Sequence, residues 1–342
     1  MNYFNKFRKC YIIAEIGVNH NGDMNLAYKM IDAAKQAGSD AVKFQTFTAD
    51  SLVSKGTPKV RYQENSTHSE ETHYEMIKKL ELKRKDHYLL KEYSENLGLE
   101  FISTPYDLES ANFLNELGVK FFKTASADLI DLPLQKLIAK TGKPSIISVG
   151  MASLGEIEST IEIYKKANNK NLILLHCVSN YPCADESLNM QVMRTLQQAF
   201  GLPVGYSDHS KGVEASVLSI AFGAKVIEKH FTLDKNLPGP DHGASSNPKE
   251  FAQLVTCVRR VEKMLGSPIK DCRDEEKDMA KVSRKSIALA KDLKEDEIIR
   301  LEHLTLLRPG TGLSPKYIND ILGFRVKKYL RKGTLLTWNE LQ

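Results

Sequence analysis

The chain has 342 residues, 42% of them hydrophobic and 27% charged, with a formal net charge of +5. This is the composition of a soluble globular protein with room for one large domain and a small one. Its Lys and Arg alternate with acids, as in ELKRKDHYLLKEYSE (Glu81 to Glu95), which excludes a basic stripe for nucleic acid; no apolar run approaches the roughly 20 residues that span a bilayer.

The N-terminal MNYFNKFRKC lacks the apolar core of a signal peptide. Cys10, Cys177, Cys183, Cys257 and Cys272 include no CxxC pair, so reduced thiols and a cytoplasmic protein are expected. Eight short apolar runs then read as strands: Tyr11 to Glu15, Ala41 to Gln45, Glu100 to Ser103, Lys120 to Thr124, Ser145 to Ser148, Leu172 to Cys177, Val204 to Tyr206 and Lys225 to Glu228. Amphipathic stretches such as MNLAYKMIDAAKQAG and LGEIESTIEIYKKA lie between them, several ending in Gly as helix C-termini do. Strand and helix alternating eight times over about 260 residues predicts a parallel (β/α)8 TIM barrel. An open doubly wound sheet is disfavoured because no GxGxxG turn follows the first strand. The insert from Phe47 to about Leu80 reads as a loop over the barrel mouth or as irregular structure. With the barrel assigned to residues 1–270, residues 271–285 read as a charged linker or connecting helix. Residues 286–342 read as a small β-rich module, marginal by itself and helped by packing on something else.

Active sites of such barrels lie at the C-terminal ends of the strands, and nearly every strand here ends in reactive side chains. In order they are Glu15; Lys43 and Gln45; Ser103 and Thr104; Lys123, Ser126 and Asp128; Ser148 and Gly150; His176, Ser179 and Tyr181; Ser207, Asp208 and His209; Glu228, His230 and Phe231. Lys43 and Lys123 beside the hydroxyls of Ser126, Ser148 and Ser207 suit a phosphate or carboxylate, although a barrel lysine can also form a Schiff base, as in an aldolase. His209 and His230 follow consecutive strands and would be neighbours, as ligands of a divalent transition metal require; Glu15 is a further ligand or a base. His20 and His242 sit in Gly-rich loops, where such residues often only hold their own backbone.

In order along the chain, IIAEIGVNHNGDMNLAYKMIDAAKQAG, AVKFQTF, ISTPYD, FFKTASAD, IISVGM, LLHCVSNYP, GYSDHSKG, AKVIEKHFTLDK and GPDHGAS resemble the motifs of the sialic acid synthase family. The tail with LLRPGTGL resembles the SAF (antifreeze-like) domain of these synthases. The resemblance implies condensation of phosphoenolpyruvate with an N-acylated amino sugar to a nine-carbon 2-keto acid, with release of phosphate. It implies a divalent metal, Mn²⁺ before Mg²⁺ or Co²⁺, on His209 and His230, and phosphoenolpyruvate on Lys43, Lys123, Ser126, Ser148 and Ser207, with Thr104 nearby. Glu15 then matches a proton-transfer residue; Tyr181 and Asp241 match sugar contacts. Arg308 matches an arginine that reaches from the SAF domain of one chain into the barrel of the other, which implies a homodimer. ASAD and SVG stand where the family often has GSGE and STG, and Ser179 stands in place of Asn. Asp128 thus becomes a shorter sugar-side acid and Val149 replaces a hydroxyl. The expected enzyme is N-acetylneuraminate synthase using N-acetylmannosamine; its rival is a legionaminic acid synthase using a 2,4-diacetamido-6-deoxy sugar, with a pseudaminic acid synthase disfavoured.

Overall fold

The apolar runs form eight parallel strands: β1 (Tyr11–Gly17), β2 (Ala41–Thr46), β3 (Glu100–Pro105), β4 (Phe122–Thr124), β5 (Ser145–Ser148), β6 (Leu172–His176), β7 (Val204–Asp208) and β8 (Val226–His230). In the computed structural model, which describes residues 2–59 and 71–342, they are ordered β3-β2-β1-β8-β7-β6-β5-β4. The first strand therefore pairs with the last, Glu15 opposite His230, and β3 packs beside β4 to close the barrel. Strand four begins at Phe122 and strand eight at Val226, each later than the apolar run suggests; Cys177 lies beyond strand six.

Polar caps start the surrounding helices. Asp23, Asp107, Asp131, Ser153 and Asn247 each accept a backbone N–H of the first turn, satisfying donors that a helix start leaves unpaired. Strand alternation then sorts the side chains into two layers. Val42, Phe44, Phe101, Phe122, Ile147, Leu174 and Ile227 point outward into the core beneath the helices. Ile13, Ala41, Ile102, Phe121, Ile146, Ile173, Leu175 and Val226 fill the barrel with Phe4. Phe4 belongs to a 3-10 turn, Tyr3–Lys6, that seals the barrel floor. Asn2 donates to Leu172 O at 2.8 Å and Tyr3 N donates to Asn171 Oδ1 at 3.0 Å. The segment that reads from sequence only as a non-signal N-terminus is thus a plug.

The insert differs from the loop expected for it. Its described parts contain the helices Ala49–Leu52 and His73–Lys79, the second opened by a reciprocal Thr72/Glu75 capping box. Residues 60–70, where the rest of that loop was expected, lie outside the described residues. Val18, Phe47, Met76 and Leu80 form a small apolar cluster with Leu52, Ile77 and Tyr106. Among the described residues no helix is long and apolar enough to cross a membrane.

The chain divides into Met1–Gly266 and Ser267–Gln342. The second unit contains the helix Lys277–Ser283, within the stretch expected to link the domains. Its strands β9 (Ser286–Leu289) and β10 (Leu304–Leu307) pair antiparallel. Buried Ile287, Leu289, Leu293, Ile299, Leu313, Ile321, Val326, Leu330, Leu336 and Leu341 make a core of its own.

Candidate active site

A cavity of about 440 Å³ opens above the barrel's apolar filling, at the C-terminal strand ends, and twelve of the sequence-predicted site residues line it: Glu15, Lys43, Thr104, Lys123, Ser126, Ser148, Ser179, Tyr181, Ser207, His209, His230 and Asp241. Asp128 is adjacent in sequence to the lining residues Ser126 and Ala127. It follows Ser126 and Ala127 in the 3-10 turn Ser126–Ile130, and its Oδ2 is buried without a hydrogen-bond partner. Arg308 lies exposed in the second unit, after β10. Strand parity removes three of the strand-end groups from the cavity. Ser103 faces outward to Thr46 Oγ1 at 2.6 Å. His176 Nε2 donates to Leu188 O at 2.7 Å. Asp208 pairs with Lys229 outside the barrel.

The two lysines do not stand alone, as the spacing of the motifs suggests; they are interleaved with carboxylates. Lys43 Nζ lies 2.8 Å from Glu15 and 3.8 Å from Glu228 and donates to Thr104 Oγ1 at 3.0 Å. Lys123 Nζ lies 3.4 Å from Glu228 and donates to the Thr124 carbonyl at 3.0 Å. Ser207 Oγ donates to Glu228 Oε1 at 3.2 Å, and Gln45 donates to Glu15 at 3.3 Å. Glu228 is the residue that sequence reasoning left without a role; the signal was its position two before His230, on the same inward face of β8.

Burial and neighbours set the charge states of this array. Burial raises Glu15 to about 7, Lys43 opposing and Glu228 reinforcing. For Glu228 burial is outweighed by Lys123 and Lys43, which hold it as a carboxylate. Burial would lower Lys43, but Glu15 and Glu228 keep it above the usual lysine value. Burial lowers Lys123, with Glu228 opposing and Lys43 adding to the depression. Burial raises Asp241 to about 6, Lys43 opposing, and raises Asp128 to about 7, helped by Asp131. With Glu15 protonated, two ammonium groups face one carboxylate, and the array has a net positive charge with which to receive an anion.

Two further hydroxyls stand on the lysine side of the cavity. Ser148 Oγ is buried without a partner. Ser126 Oγ takes the Gly150 N–H at 3.0 Å and lies 3.0 Å from Cys177 Sγ. A Cβ on Gly150 would come within 2.6 Å of Ser179 Oγ, 2.8 Å of Cys177 Sγ and 2.9 Å of Ser126 Oγ, so the turn after strand five needs glycine here for the three side chains to converge.

Opposite stand the imidazoles. His209 Nδ1 donates to the Val178 carbonyl at 2.8 Å, which fixes the tautomer and leaves Nε2 as an acceptor. His230 Nδ1 is buried without a partner, 3.9 Å from Asp241 Oδ2. The rings are 5.7 Å apart, with Tyr181 4.2 Å from the first and 5.5 Å from the second. Burial lowers both pKa values, and His230 is pushed down further by His209, so both are neutral, as metal ligation needs. Among the described residues no three His, Cys, Asp or Glu side chains form a complete metal cluster. The donors fit an ion held by two imidazoles whose shell is completed by water or substrate oxygen. His20 Nδ1 accepts its own loop's Gly22 N–H at 2.9 Å, and His242 Nδ1 meets Thr232 Oγ1 at 2.6 Å; both hold loops.

The profile of the NeuB family matches residues 30–270, and that of the SAF domain matches 284–342. The chain belongs to the NeuB family. Among its relatives, the N,N'-diacetyllegionaminic acid synthase of Legionella pneumophila is 47% identical over 97% of this chain and 95% of that protein. The enzyme of the same name from Campylobacter jejuni is 44% identical over 96% and 99%. A solved structure, N-acetylneuraminic acid (sialic acid) synthetase from Leptospira borgpetersenii serovar Hardjo-bovis in complex with citrate, superposes with a TM-score of 0.71. It is 39% identical and covers 80% of this chain and 90% of that one. The chain is accordingly an enzyme of the NeuB synthase family, a (β/α)8 barrel followed by a SAF domain.

Proposed function

We propose that this enzyme condenses phosphoenolpyruvate with a 2,4-diacetamido-6-deoxy sugar, giving N,N'-diacetyllegionaminic acid and phosphate. The observation that carries the reaction class is the two-sided cavity, with buried Lys43 and Lys123 on one wall and neutral His209 and His230 on the other. Lys43, Lys123, Ser126, Ser148 and Ser207 would hold the phosphate and carboxylate of phosphoenolpyruvate, and Tyr181, Asp241, Ser179 and Asp128 the sugar. His209 and His230 would hold a divalent ion, Mn²⁺ first, which supplies Lewis-acid polarisation of the aldehyde oxygen. C3 of phosphoenolpyruvate attacks the aldehyde carbon, whose oxygen gains a proton. Water captures the cation left at C2, and breaking the bond from C2 to the phosphate oxygen releases phosphate and the 2-keto acid. Glu15, poised near neutrality, is suited to hold the proton that the captured water gives up.

The sugar assignment draws on the two diacetyllegionaminic acid synthases and on the apolar side of the mouth. Val18, Leu52, Met76 and Ile77 line the cavity and suit acetamido methyls and a 6-deoxy carbon better than a hydroxymethyl group. N-Acetylmannosamine, the sugar first expected, is the second reading, favoured by the Leptospira neighbour's name. Purified enzyme with phosphoenolpyruvate and Mn²⁺ is tested with each sugar while phosphate release is followed. Faster turnover of the diacetamido sugar is expected; preference for N-acetylmannosamine reverses the assignment, and no phosphate with any N-acyl sugar overturns the synthase reading. Chelation should abolish turnover, and Mn²⁺ should restore it. The reading includes a cytoplasmic homodimer in which Arg308 serves a second copy. At a phosphoenolpyruvate concentration where Arg308→Ala and Lys123→Met chains each turn over slowly, mixing the two should then raise activity above that of either alone.

A further inference from the structure

The reaction leaves a buried ion pair unused. Asp208 and Lys229, 1% and 2% exposed, are register partners on β7 and β8, and each immediately precedes one of the two cavity histidines. Their side chains point away from the cavity, toward the helix Glu214–Ala221. Lys229 Nζ lies 2.8 Å from Asp208 Oδ2 and donates to the Ser210 carbonyl at 2.8 Å. The Asp208 carboxylate also accepts from Ser210 N at 2.8 Å, Ser210 Oγ at 2.7 Å and Ser216 Oγ at 2.5 Å. Every partner is itself buried.

This rung is where the β7/β8 ladder ends. Beyond it the two strands part: His209 O accepts from Cys183 N at 2.9 Å, and His230 pairs with Glu15 on β1. The side-chain bond across the last rung, with the Lys229 bond to the residue after His209, therefore ties together the backbones that carry the two imidazoles. Stability alone gives little reason for such a pair, because desolvating two charges cancels most of their attraction and an apolar pair often serves as well.

We propose that Asp208 and Lys229 are positioning residues: their ion pair, outside the barrel wall, sets the separation of His209 and His230 for one divalent ion. The inference rests on the metal reading above. Groups behind metal ligands typically change affinity by about 10- to 100-fold when removed, and a loss in that range is expected here.

The test measures Mn²⁺ alone, by calorimetry, and inorganic phosphate binding in the full chain, for wild type, Lys229→Met, Asp208→Asn and Lys229→Arg, alongside thermal melts. Support is a loss of Mn²⁺ affinity of about tenfold or more with phosphate affinity kept and partial recovery in Lys229→Arg. Folded variants with wild-type Mn²⁺ affinity, or an equal loss of both ligands, overturn the proposal in favour of general support of the barrel. Should Lys229→Met and Asp208→Asn not fold, Lys229→Arg decides, since it keeps both charges but changes the geometry of the ion pair. Weaker Mn²⁺ binding at an unchanged melting temperature supports the proposal, and unchanged binding overturns it. A wild-type chain that binds no Mn²⁺ removes the metal reading itself, a separate outcome.

Discussion

Glu15→Gln removes the titration of the most deeply buried carboxyl in the cavity and keeps its shape. In the folded chain Glu15 holds its proton up to about pH 7, against an ordinary value of 4.5. A raised folded pKa means that the native state binds the proton more tightly than the unfolded one. The resulting stabilisation is fully present below pH 4.5 and is lost as the pH rises through 7. At about 1.36 kcal/mol for each tenfold change in proton affinity, the displacement corresponds to about 3 kcal/mol. Asp128 and Asp241, shifted in the same direction, and the histidines, shifted in the opposite one, titrate in both proteins and cancel in the difference. The unfolding free energy of wild type minus that of Glu15→Gln should therefore fall by about 3 kcal/mol between pH 4.5 and 8. Urea unfolding followed by far-ultraviolet circular dichroism reads the barrel helices; fluorescence of Trp338, the sole tryptophan, reads the second unit instead. Parallel pH curves for the two proteins would refute the reasoning, and would mean that Lys43 keeps Glu15 ionised throughout.

Gly150→Ala forces a methyl against Ser126, Cys177 and Ser179; overpacking of about 1–3 kcal/mol should appear as a lower urea midpoint, with phosphate affinity reduced by about tenfold on titration. Lys123→Met removes a charge-assisted contact of about 1.5–3 kcal/mol, so KM for phosphoenolpyruvate should rise by about ten- to a hundredfold in steady-state kinetics. Borohydride reduction with pyruvate should leave Lys43 and Lys123 unmodified by mass spectrometry, whereas a Schiff-base aldolase would give a trapped adduct. Leu52→Asn and Ile77→Asn should lower kcat/KM for the diacetamido sugar by about tenfold while affecting N-acetylmannosamine less, as competition between the two sugars would reveal.

The barrel was legible because its strands are apolar on both faces, so each run stands out from the amphipathic helix that follows. Which strand-end residues enter the cavity was less so. Ser103 and Thr104 are adjacent and look equivalent, yet alternation sends the first to Thr46 and the second to Lys43. The same rule applied to β8 would have drawn Glu228 inward with His230 and Val226, and with it the counter-charge that separates Lys43 from Lys123. The helix His73–Lys79 announced itself only through Thr72 and Glu75, two residues spaced three apart inside an otherwise polar stretch. Asp128 was placed in the site by analogy of motif; the structure puts it in the 3-10 turn Ser126–Ile130, two residues beyond the cavity-lining Ser126. Charge states were not readable at all, since they follow from burial and from neighbours distant in sequence.

The plugged barrel floor has a consequence for how the protein is made. Phe4 shares its apolar cluster with Ile173 and Val226, and Asn2 and Tyr3 bond to residues 170–172. At roughly 5–20 residues translated per second, Val226 leaves the ribosome on the order of 10 to 40 s after Phe4. During that interval an aromatic stretch, Tyr3, Phe4 and Phe7, emerges from the exit tunnel with its docking site still unsynthesised. The barrel floor can therefore close only after the eighth strand has been made, so the first residues of the chain are among the last to find their native contacts.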